Sequence, residues 1–587
     1  MFPIPFGFIG SSSAAIEERC IMKWTTGSDD QIITLWNQQG GTNNYDVDWG
    51  DSQTESGITA LDKTHEYASP GTYEVKITGK FAGLNMQRGS ATDQLALVEF
   101  SNWGTSEIDA CFKMFYNCEN MLYTATDSPD LSNMQGTYKA QFREFFFDCK
   151  SITSLDLSGW TLPTATWNST AYAAFYGLTG CTSLNLSGWD IRNTTNTQNF
   201  AVNLGKDGTG CVVNCANMNL GGSTNMAQAF KSAKVTSIDV SNWVLKSSGT
   251  VSASSIFNDL TRNDAGDAFN LDLSTWTNTS SLTSAATMFR DGEFDVLNLT
   301  NWDTSNVTSW ALMWYGCANL TKILGLNGLS CAGQTTNSFN QMFNLCKKLG
   351  FNDSDTSNFD NTLWGANTSA ITNFSSCFSK VGETTPGTNP PNVSNWDTSS
   401  GTNFGSMFAY LKWTTGALDV SGFDVSAATG SGLNSVFQFM ENPVGTTIDT
   451  SSWQISNNVT SLVSFIRNSN ITTLDFSHVG NDFSNITTFS TMAYQSKLER
   501  FILNATLAEP GFTSVTGSAF SNFFPASGYA TVATGDYDEL LLKLDDGGQS
   551  NVTLYAGAST YTGGGAVATA RGNLITKGWS ITDGGIA

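Results

Sequence analysis

A short alternation of apolar and polar residues recurs along most of the chain. It reads L-x-L-S-x-W, as in LDLSGW ending at Trp160 and LNLTNW ending at Trp302. Apolar residues at every second position are typical of a half-buried β-strand. The Ser, Asn and Asp residues that follow favour turns, because their side chains hydrogen-bond to the nearby backbone. Each copy is therefore predicted to begin with a strand followed by a turn.

The copies recur at intervals of about 26 to 30 residues, or about twice that where a degenerate copy intervenes. About 13 or 14 copies fit between residues 95 and 510. A unit of this length cannot bury its apolar face alone, so the copies are expected to stack into a solenoid. The predicted structural markers of the repeat are Trp103, Trp160, Trp189, Trp243, Trp276, Trp302, Trp396 and Trp453.

A second apolar cluster, S-x-M-F-x-x-C-x-x-L, lies between successive tryptophans and ends near Cys118, Cys149, Cys317 and Cys346 in its clearest copies. Its apolar positions i, i+1, i+4 and i+7 predict one face of about two helical turns. The expected fold class is a leucine-rich-repeat-like solenoid with a short strand and a short helix per copy. Insertions at 264–268 and 381–391 are expected to form loops along one edge of the rod.

The copy LNLTNWDTSNVTSWALMWYGCANLTKI, from Leu297 to Ile323, resembles the repeats of the BspA-type leucine-rich-repeat surface-protein family. The resemblance extends over about 70% of the chain and is specific to the repeat type. Members of that family occur as bacterial surface adhesins, in eukaryotic microbes and in bacteriophage genomes. The resemblance implies a repeat protein that acts at a surface, here with a bacteriophage origin.

Short strand patterns precede the repeats between residues 21 and 81. The segments YDVDWGD (Tyr45–Asp51) and PGTYEV (Pro70–Val75) resemble the PKD domain, although Ser52 stands where that family usually has Gly. The resemblance implies a shortened immunoglobulin-like β-sandwich. Asp48 and Asp51 are candidates for a calcium site, because hard cations prefer clustered oxygen ligands.

The alternative for these residues is structural. Asp51 would then cap a tight turn, Asp48 would face solvent and His65 would pack against Tyr67. The sequence favours this alternative over the calcium site, and no other metal or cofactor is expected.

The repeat stops near Tyr529, where YDELLLKL at Tyr537–Leu544 predicts an amphipathic helix. A second short helix is expected within Ala566–Trp579, followed by a final strand. These elements would cap the last open layer of the solenoid.

Four parts of the chain follow from these patterns. They are a leader or anchoring segment at 1–18, a PKD-like β-sandwich at 19–83, a BspA-type solenoid at 84–528 and a C-terminal cap at 529–587. The junction at 82–94 is expected to be the most accessible link between sandwich and solenoid.

Composition narrows the possible functions. With Lys+Arg 28 against Asp+Glu 51, the net charge of -23 would repel nucleic acid. Only 2 His are present, His65 and His478, which disfavours an enzyme. The 11 Cys form no zinc-ligand spacing and cannot all pair within one chain, so most are expected to be buried free thiols.

Two features bear on location. No run of about 18 apolar residues is present, so no membrane insertion is expected. The apolar start, MFPIPFGFIG, lacks the positive charge of a secretory signal, which favours attachment to another virion protein over export.

The function expected from these observations is non-enzymatic. The chain would be a virion structural or adhesion protein, such as a phage tail fibre, head fibre or decoration protein, located on the virion surface. It would contact other virion proteins through its N-terminal segment and a host-surface glycan or protein through its solenoid. The alternative is a bacterial cell-surface adhesin, exported to the extracellular side by an unrecognised route. The sequence leaves open whether the chain forms a homo-oligomer.

Overall fold

The structure is a computed structural model that describes residues 17–132, 134, 142–162, 169–263, 266–334, 339–359, 361–443, 447–504 and 511–587. The predicted anchoring segment at 1–18 lies outside the described residues except for its last two. The solenoid predicted from the repeats is confirmed, and it has about 17 turns. This exceeds the 13 or 14 copies counted from the sequence between residues 95 and 510.

The N-terminal module contains β1 (Cys20–Thr26), β2 (Gln31–Trp36), β3 (Asn44–Asp48), β4 (Thr54–Ile58), β5 (Asp62–Tyr67) and β6 (Gly71–Lys80). The solenoid contains β7 (Leu97–Asn102), β8 (Leu122–Tyr123), β9 (Ser154–Asp156), β10 (Ser169–Thr170), β11 (Ser183–Asn185), β12 (Thr194–Asn196), β13 (Cys211–Asn214), β14 (Lys234–Asp239), β15 (Val251–Ser252), β16 (Thr261–Arg262), β17 (Asn270–Asp272), β18 (Leu282–Ser284), β19 (Val296–Asn298), β20 (Lys322–Leu324), β21 (Thr473–Phe476) and β22 (Arg500–Leu503). The C-terminal end adds β23 (Thr553–Tyr555) and β24 (Ser580–Thr582).

Helices are few. They are α1 (Ala91–Ala96), α2 (Asn361–Trp364), α3 (Thr534–Asp546) and α4 (Gly565–Thr576), with 3-10 turns at Met86–Arg88, Thr279–Ser281, Leu326–Gly328 and Ala366–Thr368. Within the described part of the chain, no helix combines the length and the apolar character needed to cross a bilayer.

The strand face of the solenoid is a parallel ladder in register. Leu155, Leu184 and Val213 occupy one register position in β9, β11 and β13, and all three are buried. The next residue in these strands is polar and lies on the outer face, as at Asp156 and Asn185. The alternation read from the sequence therefore separates the core from a polar outer surface.

The helix predicted in each copy is wrong for the described copies, in which this segment forms tight turns. In the first coil the Phe115 N–H donates to the Phe145 carbonyl of the next coil at 3.0 Å, whereas the Met114 N–H donates to Cys111 at 3.3 Å. Lys113 is left-handed, with φ of 52°, and a second left-handed residue follows four positions later. Alternate N–H groups thus find partners in the neighbouring coil, which a helix would not allow. The spacing i, i+1, i+4 arises from these turns and only resembles that of a helix.

The N-terminal module is an antiparallel β structure with two sheets. The larger sheet has the order β4-β3-β6-β1-β7-β8 and the smaller one pairs β2 with β5. Strand β1 pairs antiparallel with both β6 and β7, and β7 pairs parallel with β8. The module and the solenoid therefore share one continuous sheet.

The first part of the junction at 82–94 is packed, whereas Gln87 and residues 90–92 are exposed, so an accessible link there stays a prediction. Ala82, Leu84 and Met86 are fully buried. The Asp109 N–H donates to the Ala82 carbonyl at 3.2 Å, and the Met86 N–H donates to Lys113 at 3.1 Å. These bonds connect the junction to the first coil of the solenoid.

The helices and the final strand predicted at the C-terminal end are present as α3, α4 and β24. Asp583 joins them, because Tyr537 of α3 donates to its carboxylate at 2.9 Å and Arg571 of α4 donates at 2.8 Å. The Asp583 side chain is only 4% exposed. This buried network holds both helices against the last coil.

Candidate binding groove

The eight predicted tryptophan markers are all buried, with exposures of 0 to 7%. Most of them connect two coils through the indole N–H. Trp302, for example, donates to the Leu273 carbonyl of the preceding coil at 2.8 Å and stacks on Trp276 at a ring separation of 5.5 Å. The same bond to the preceding coil is made by Trp189, Trp243, Trp276 and Trp453. These residues form the core and are not a contact surface.

Trp160 departs from this arrangement. Its ring packs edge-on against Trp103 at 5.4 Å, and its indole N–H has no hydrogen-bond partner among the described residues. The preceding coil begins with Leu122 and Tyr123 of β8, which do not pair with β9. The coils that begin at β8 and β9 therefore have no strand pairing with each other, and the Ser128 hydroxyl donates to the Gly159 carbonyl across the gap at 3.5 Å.

The gap forms a groove of about 490 Å³, which we call the split groove. It lies between two open strand edges, since β8 pairs only with β7 and β9 pairs only with β11. Its lining residues are Tyr123, Thr124, Ala125, Thr126, Asp127, Ser128, Ser154, Asp156, Ser158, Gly159 and Trp160. A smaller depression of about 160 Å³ continues along the same two coils at 129–132 and 161–162.

Two carboxylates give the split groove its charge, and none of the described residues that line it is basic. Asp127 accepts hydrogen bonds from the Trp103 and Gly104 N–H groups at 2.8 to 3.0 Å. Asp156 accepts from Ser158 and Asn185 through Oδ1 alone. The hydrogen bonds from Ser158 hold the pKa of Asp156 below its ordinary value.

The low pKa of Asp156 bears on chemistry. A carboxyl group that stays ionised at neutral pH accepts hydrogen bonds but is a poor general acid. Asp127 and Asp156 lie on successive coils and line the same groove. The groove therefore presents an ionised hydrogen-bond acceptor, Asp156, to a ligand.

A second groove, of about 300 Å³, lies beside the insertion at 381–391. Asn389, Pro390 and Pro391 of the insertion line it, whereas residues 264 and 265 of the other predicted insertion lie outside the described residues. It has two carboxylates. Asp353 accepts from Asn358 at 2.6 Å and from Asn389 at 3.1 Å, and Asp419 accepts from Ser421 at 3.0 and 2.7 Å. The polar groups here bind one another, which leaves fewer of them for a ligand.

The calcium candidates lie in the turn after β3. Asp48 accepts from the Gly50 N–H at 3.0 Å, and Asp51 accepts from the Gln53 N–H at 3.0 Å and contacts His65 Nε2 at 2.9 Å. His65 stacks on Trp49 and meets Tyr67 edge-on. Within the described residues, no group of three or more His, Cys, Asp or Glu side chains has the arrangement of a metal site. Calcium binding at Asp48 and Asp51 stays a prediction.

The cysteines are buried free thiols, as expected from their odd number. Cys149, Cys317 and Cys346 donate to carbonyls of the preceding coil at 2.9 to 3.0 Å. Burial raises the pKa of all three, which suppresses the reactive thiolate form. A pair that the repeat phase did not reveal is Cys181 and Cys211, whose sulfur atoms lie 3.9 Å apart.

Sequence reasoning missed the split groove, although it marked Trp160. The available signal was the doubled spacing between Trp103 and Trp160, which locates the irregular coil. Which side chains line the opening depends on how two coils separate, and a repeat pattern does not specify this.

The fold defines the chain as a repeat protein of the β-solenoid class. Residues 85–209, 224–352 and 337–478 match the family described as Mycoplasma protein of unknown function, DUF285. Because these matches cover more than half of the chain, the protein belongs to this family. No curated protein and no solved structure matches the chain.

Proposed function

We propose that the protein is a non-enzymatic binding protein that presents the strand face of its solenoid to a host surface. The observation that carries this proposal is the division of the coils between interior and outer face, to which the exposed Leu122 and Val212 are exceptions. Large aromatic residues fill the interior, whereas Ser, Thr, Asn and Asp form rows on the outer strand face at the fixed spacing of the ladder. A rigid row of hydrogen-bonding groups suits contact with a glycan or protein over an extended area.

The proposed setting is the virion surface, with the chain acting as a tail fibre, head fibre or decoration protein. The N-terminal module lies at one end of the rod and the α3–α4 cap at the other. Attachment to other virion proteins through the N-terminal segment would leave the cap end free. The module would then act as the spacer next to the particle, and its predicted identity as a PKD-like, immunoglobulin-like sandwich belongs to this proposal.

One observation favours the alternative, a bacterial cell-surface adhesin of the BspA type. The family is described from Mycoplasma, which is a cellular organism. In this setting the same strand face would contact a host surface from the bacterial side. The virion protein and the adhesin share the binding function and differ in whether the solenoid is attached to a virus particle or to a bacterial cell.

The proposal is tested with the purified full-length chain and a matched protein that lacks residues 1–13. We expect both proteins to bind to intact host cells, because the deletion removes no part of the described solenoid. Only the full-length protein should be incorporated into particles when each is supplied to a particle-forming lysate. Binding of neither protein to cells would contradict the binding function. Incorporation of the shortened protein would contradict attachment through the N-terminal segment.

A further inference from the structure

We propose that the split groove is a binding site for a neutral saccharide. The inference rests on the proposed host-surface function and assigns a ligand class to one place on the strand face. A volume of about 490 Å³ lies within the range of small-molecule binding sites.

The first observation is the indole N–H of Trp160. The residue is 7% exposed, and this donor has no hydrogen-bond partner among the described residues. The N–H of a groove-lining residue that has no partner among the described residues can donate to a ligand acceptor. In five other copies the corresponding donor is satisfied, as Trp189 shows by its 2.8 Å bond to the Leu157 carbonyl, whereas the buried donor of Trp396 also has no partner among the described residues.

The second observation is the set of acceptors on the groove walls. All hydrogen bonds that Asp156 accepts from described residues reach Oδ1, which leaves Oδ2 available. The exposed hydroxyls of Thr126 and Ser154 make no side-chain hydrogen bond to described residues. A carboxylate oxygen and two free hydroxyls form the kind of polar set that pairs with the hydroxyls of a sugar.

The apolar part of the groove completes the match to a saccharide. Tyr123, Ala125 and Trp160 contribute carbon surface between the polar walls. A pyranose has hydroxyls around its ring and a carbon-bound hydrogen surface on its face. Mixed lining of this kind fixes orientation through the polar groups and gains affinity through apolar contact.

Charge selects among saccharides. Asp127 and Asp156 make the groove negative, and no described lining residue is basic. The net charge of -23 adds to this field. Sialylated, uronate-containing or phosphorylated sugars would be repelled, so the expected ligand is uncharged.

A peptide is the competing occupant, because β8 and β9 each present an open edge. These edges are two and three residues long. They would provide few of the ladder hydrogen bonds on which strand addition depends. The side chains on the walls, in contrast, provide many polar partners for hydroxyl groups.

The test measures fluorescence anisotropy of labelled trisaccharides with the full-length chain. The panel contains neutral trisaccharides of glucose, galactose, mannose and N-acetylglucosamine, together with sialylated and uronate-containing counterparts. We expect at least one neutral member to bind and no anionic member to bind. Preference for anionic members, or binding of no member, would overturn the inference.

Two variants place the site. Asp156→Asn should weaken binding at least tenfold, because the amide keeps the turn acceptor but loses the carboxylate charge. Gly159→Thr introduces the residue that Thr275 provides in an intact copy, and it should also weaken binding by narrowing the groove. A Cβ at Gly159 would meet Ser128 Oγ at 3.8 Å, an ordinary contact, so this variant is expected to fold.

The matched control is Asp272→Asn, which changes the same position of the same turn in a coil that does not line the split groove. Its affinity should stay within twofold of the unchanged protein. Equal loss in the control, or no loss in Asp156→Asn and Gly159→Thr, would overturn the assignment to the split groove. If the assignment to the split groove is overturned in this way, binding of the variants to host cells would still support the proposed host-surface binding function. A further outcome concerns cells stripped of surface glycans. If the unchanged protein still binds these cells and the variants do not, the groove binds a protein ligand, which would also overturn the inference.

Discussion

The indole N–H of Trp302 donates to the backbone carbonyl of Leu273 at 2.8 Å, and this carbonyl also accepts from the backbone N–H of Trp276 at 3.2 Å. One carbonyl therefore closes the turn of its own coil and holds the tryptophan of the next. Repetition of this bond along the rod makes each coil depend on its neighbour, as expected for a solenoid with nearest-neighbour stabilisation.

Replacing Trp302 tests this dependence. Trp302→Ala should lower the free energy of unfolding by about 3 to 5 kcal/mol, because a fully packed aromatic side chain is removed. Trp302→Phe should cost less than Trp302→Ala, because it keeps a stacked ring while losing a hydrogen bond worth about 1 kcal/mol. The measurement is a urea titration followed by circular dichroism. An unchanged midpoint for Trp302→Ala would place this residue outside the core.

Trp160→Phe provides the comparison. Its indole N–H has no partner to lose among the described residues, so the change should affect stability less than Trp302→Phe does. The same urea titration measures this difference. A larger loss for Trp160→Phe than for Trp302→Phe would contradict the description of the unpaired donor.

The packed first part of the junction between module and solenoid should resist proteolysis in the native protein. Arg88 binds the Asp62 carboxylate through two nitrogens at 2.5 Å each, donates to the Asn37 carbonyl at 2.7 Å and lies over the Trp36 ring. Arg88→Ala should weaken this packing by about 1 to 2 kcal/mol, since the pair is partly screened by solvent. We expect faster cleavage between residues 82 and 94 in this variant, read by mass spectrometry of early fragments. First cleavage in that packed part of the unchanged protein would contradict this prediction.

The outer row of aspartates predicts acid sensitivity. Hydrogen bonds from Ser132, Ser158 and Ser451 lower the pKa of the aspartates two positions before them, including Asp449. The ordinary pKa of an aspartate carboxyl group is 3.8. A carboxyl group whose pKa is lowered in the folded state stabilises the protein at pH values above this ordinary pKa, and the contribution is lost as pH falls through the lowered pKa.

Asp449→Asn checks this point. Other coils already have Asn at the position, and Asn298 accepts from the Thr300 N–H at 3.1 Å in the same kind of turn. The variant should therefore keep the turn, but it has no carboxyl group at this position that can be protonated. Its free energy of unfolding should fall less between about pH 4 and about pH 2 than that of the unchanged protein. Identical acid titration curves would show that the row does not contribute.

Metal and redox state should have little influence on stability. The cysteines are buried free thiols, and Asp51 is engaged by His65 and Gln53. Chelator or reductant should shift the melting temperature by no more than about 2 °C. A larger loss with chelator would support calcium at Asp48 and Asp51, whereas a loss with reductant would show that a disulfide forms, with Cys181 and Cys211 as the nearest pair.

The sequence predicted the solenoid, because the alternation in segments such as LDLSGW survives in most copies and reports directly on the strand. It also predicted the helices of the cap, because the amphipathic pattern at Tyr537–Leu544 reports directly on a helix. The turn segments were mistaken for helices because apolar positions at i, i+1 and i+4 satisfy both structures. Only the left-handed backbone at residues such as Lys113, fixed by hydrogen bonds to the next coil, distinguishes them.

The split groove could not be predicted because it results from the absence of one rung between β8 and β9. A doubled tryptophan spacing shows that a copy is irregular, but it does not show whether the two coils stay paired. Asp156 and Trp160 therefore could not be assigned to a groove from the local sequence.

Mass spectrometry of purified particles and of the surface fraction of cells that encode the protein shows whether the chain is a virion component. We expect the full-length chain to be present in intact particles, and antibody fragments against its strand face to prevent those particles from adsorbing to host cells. Presence of the chain only on the cell surface would establish the adhesin alternative in place of the virion setting. Particles that contain the chain but adsorb equally well with the strand face covered would contradict its role as a host-binding surface.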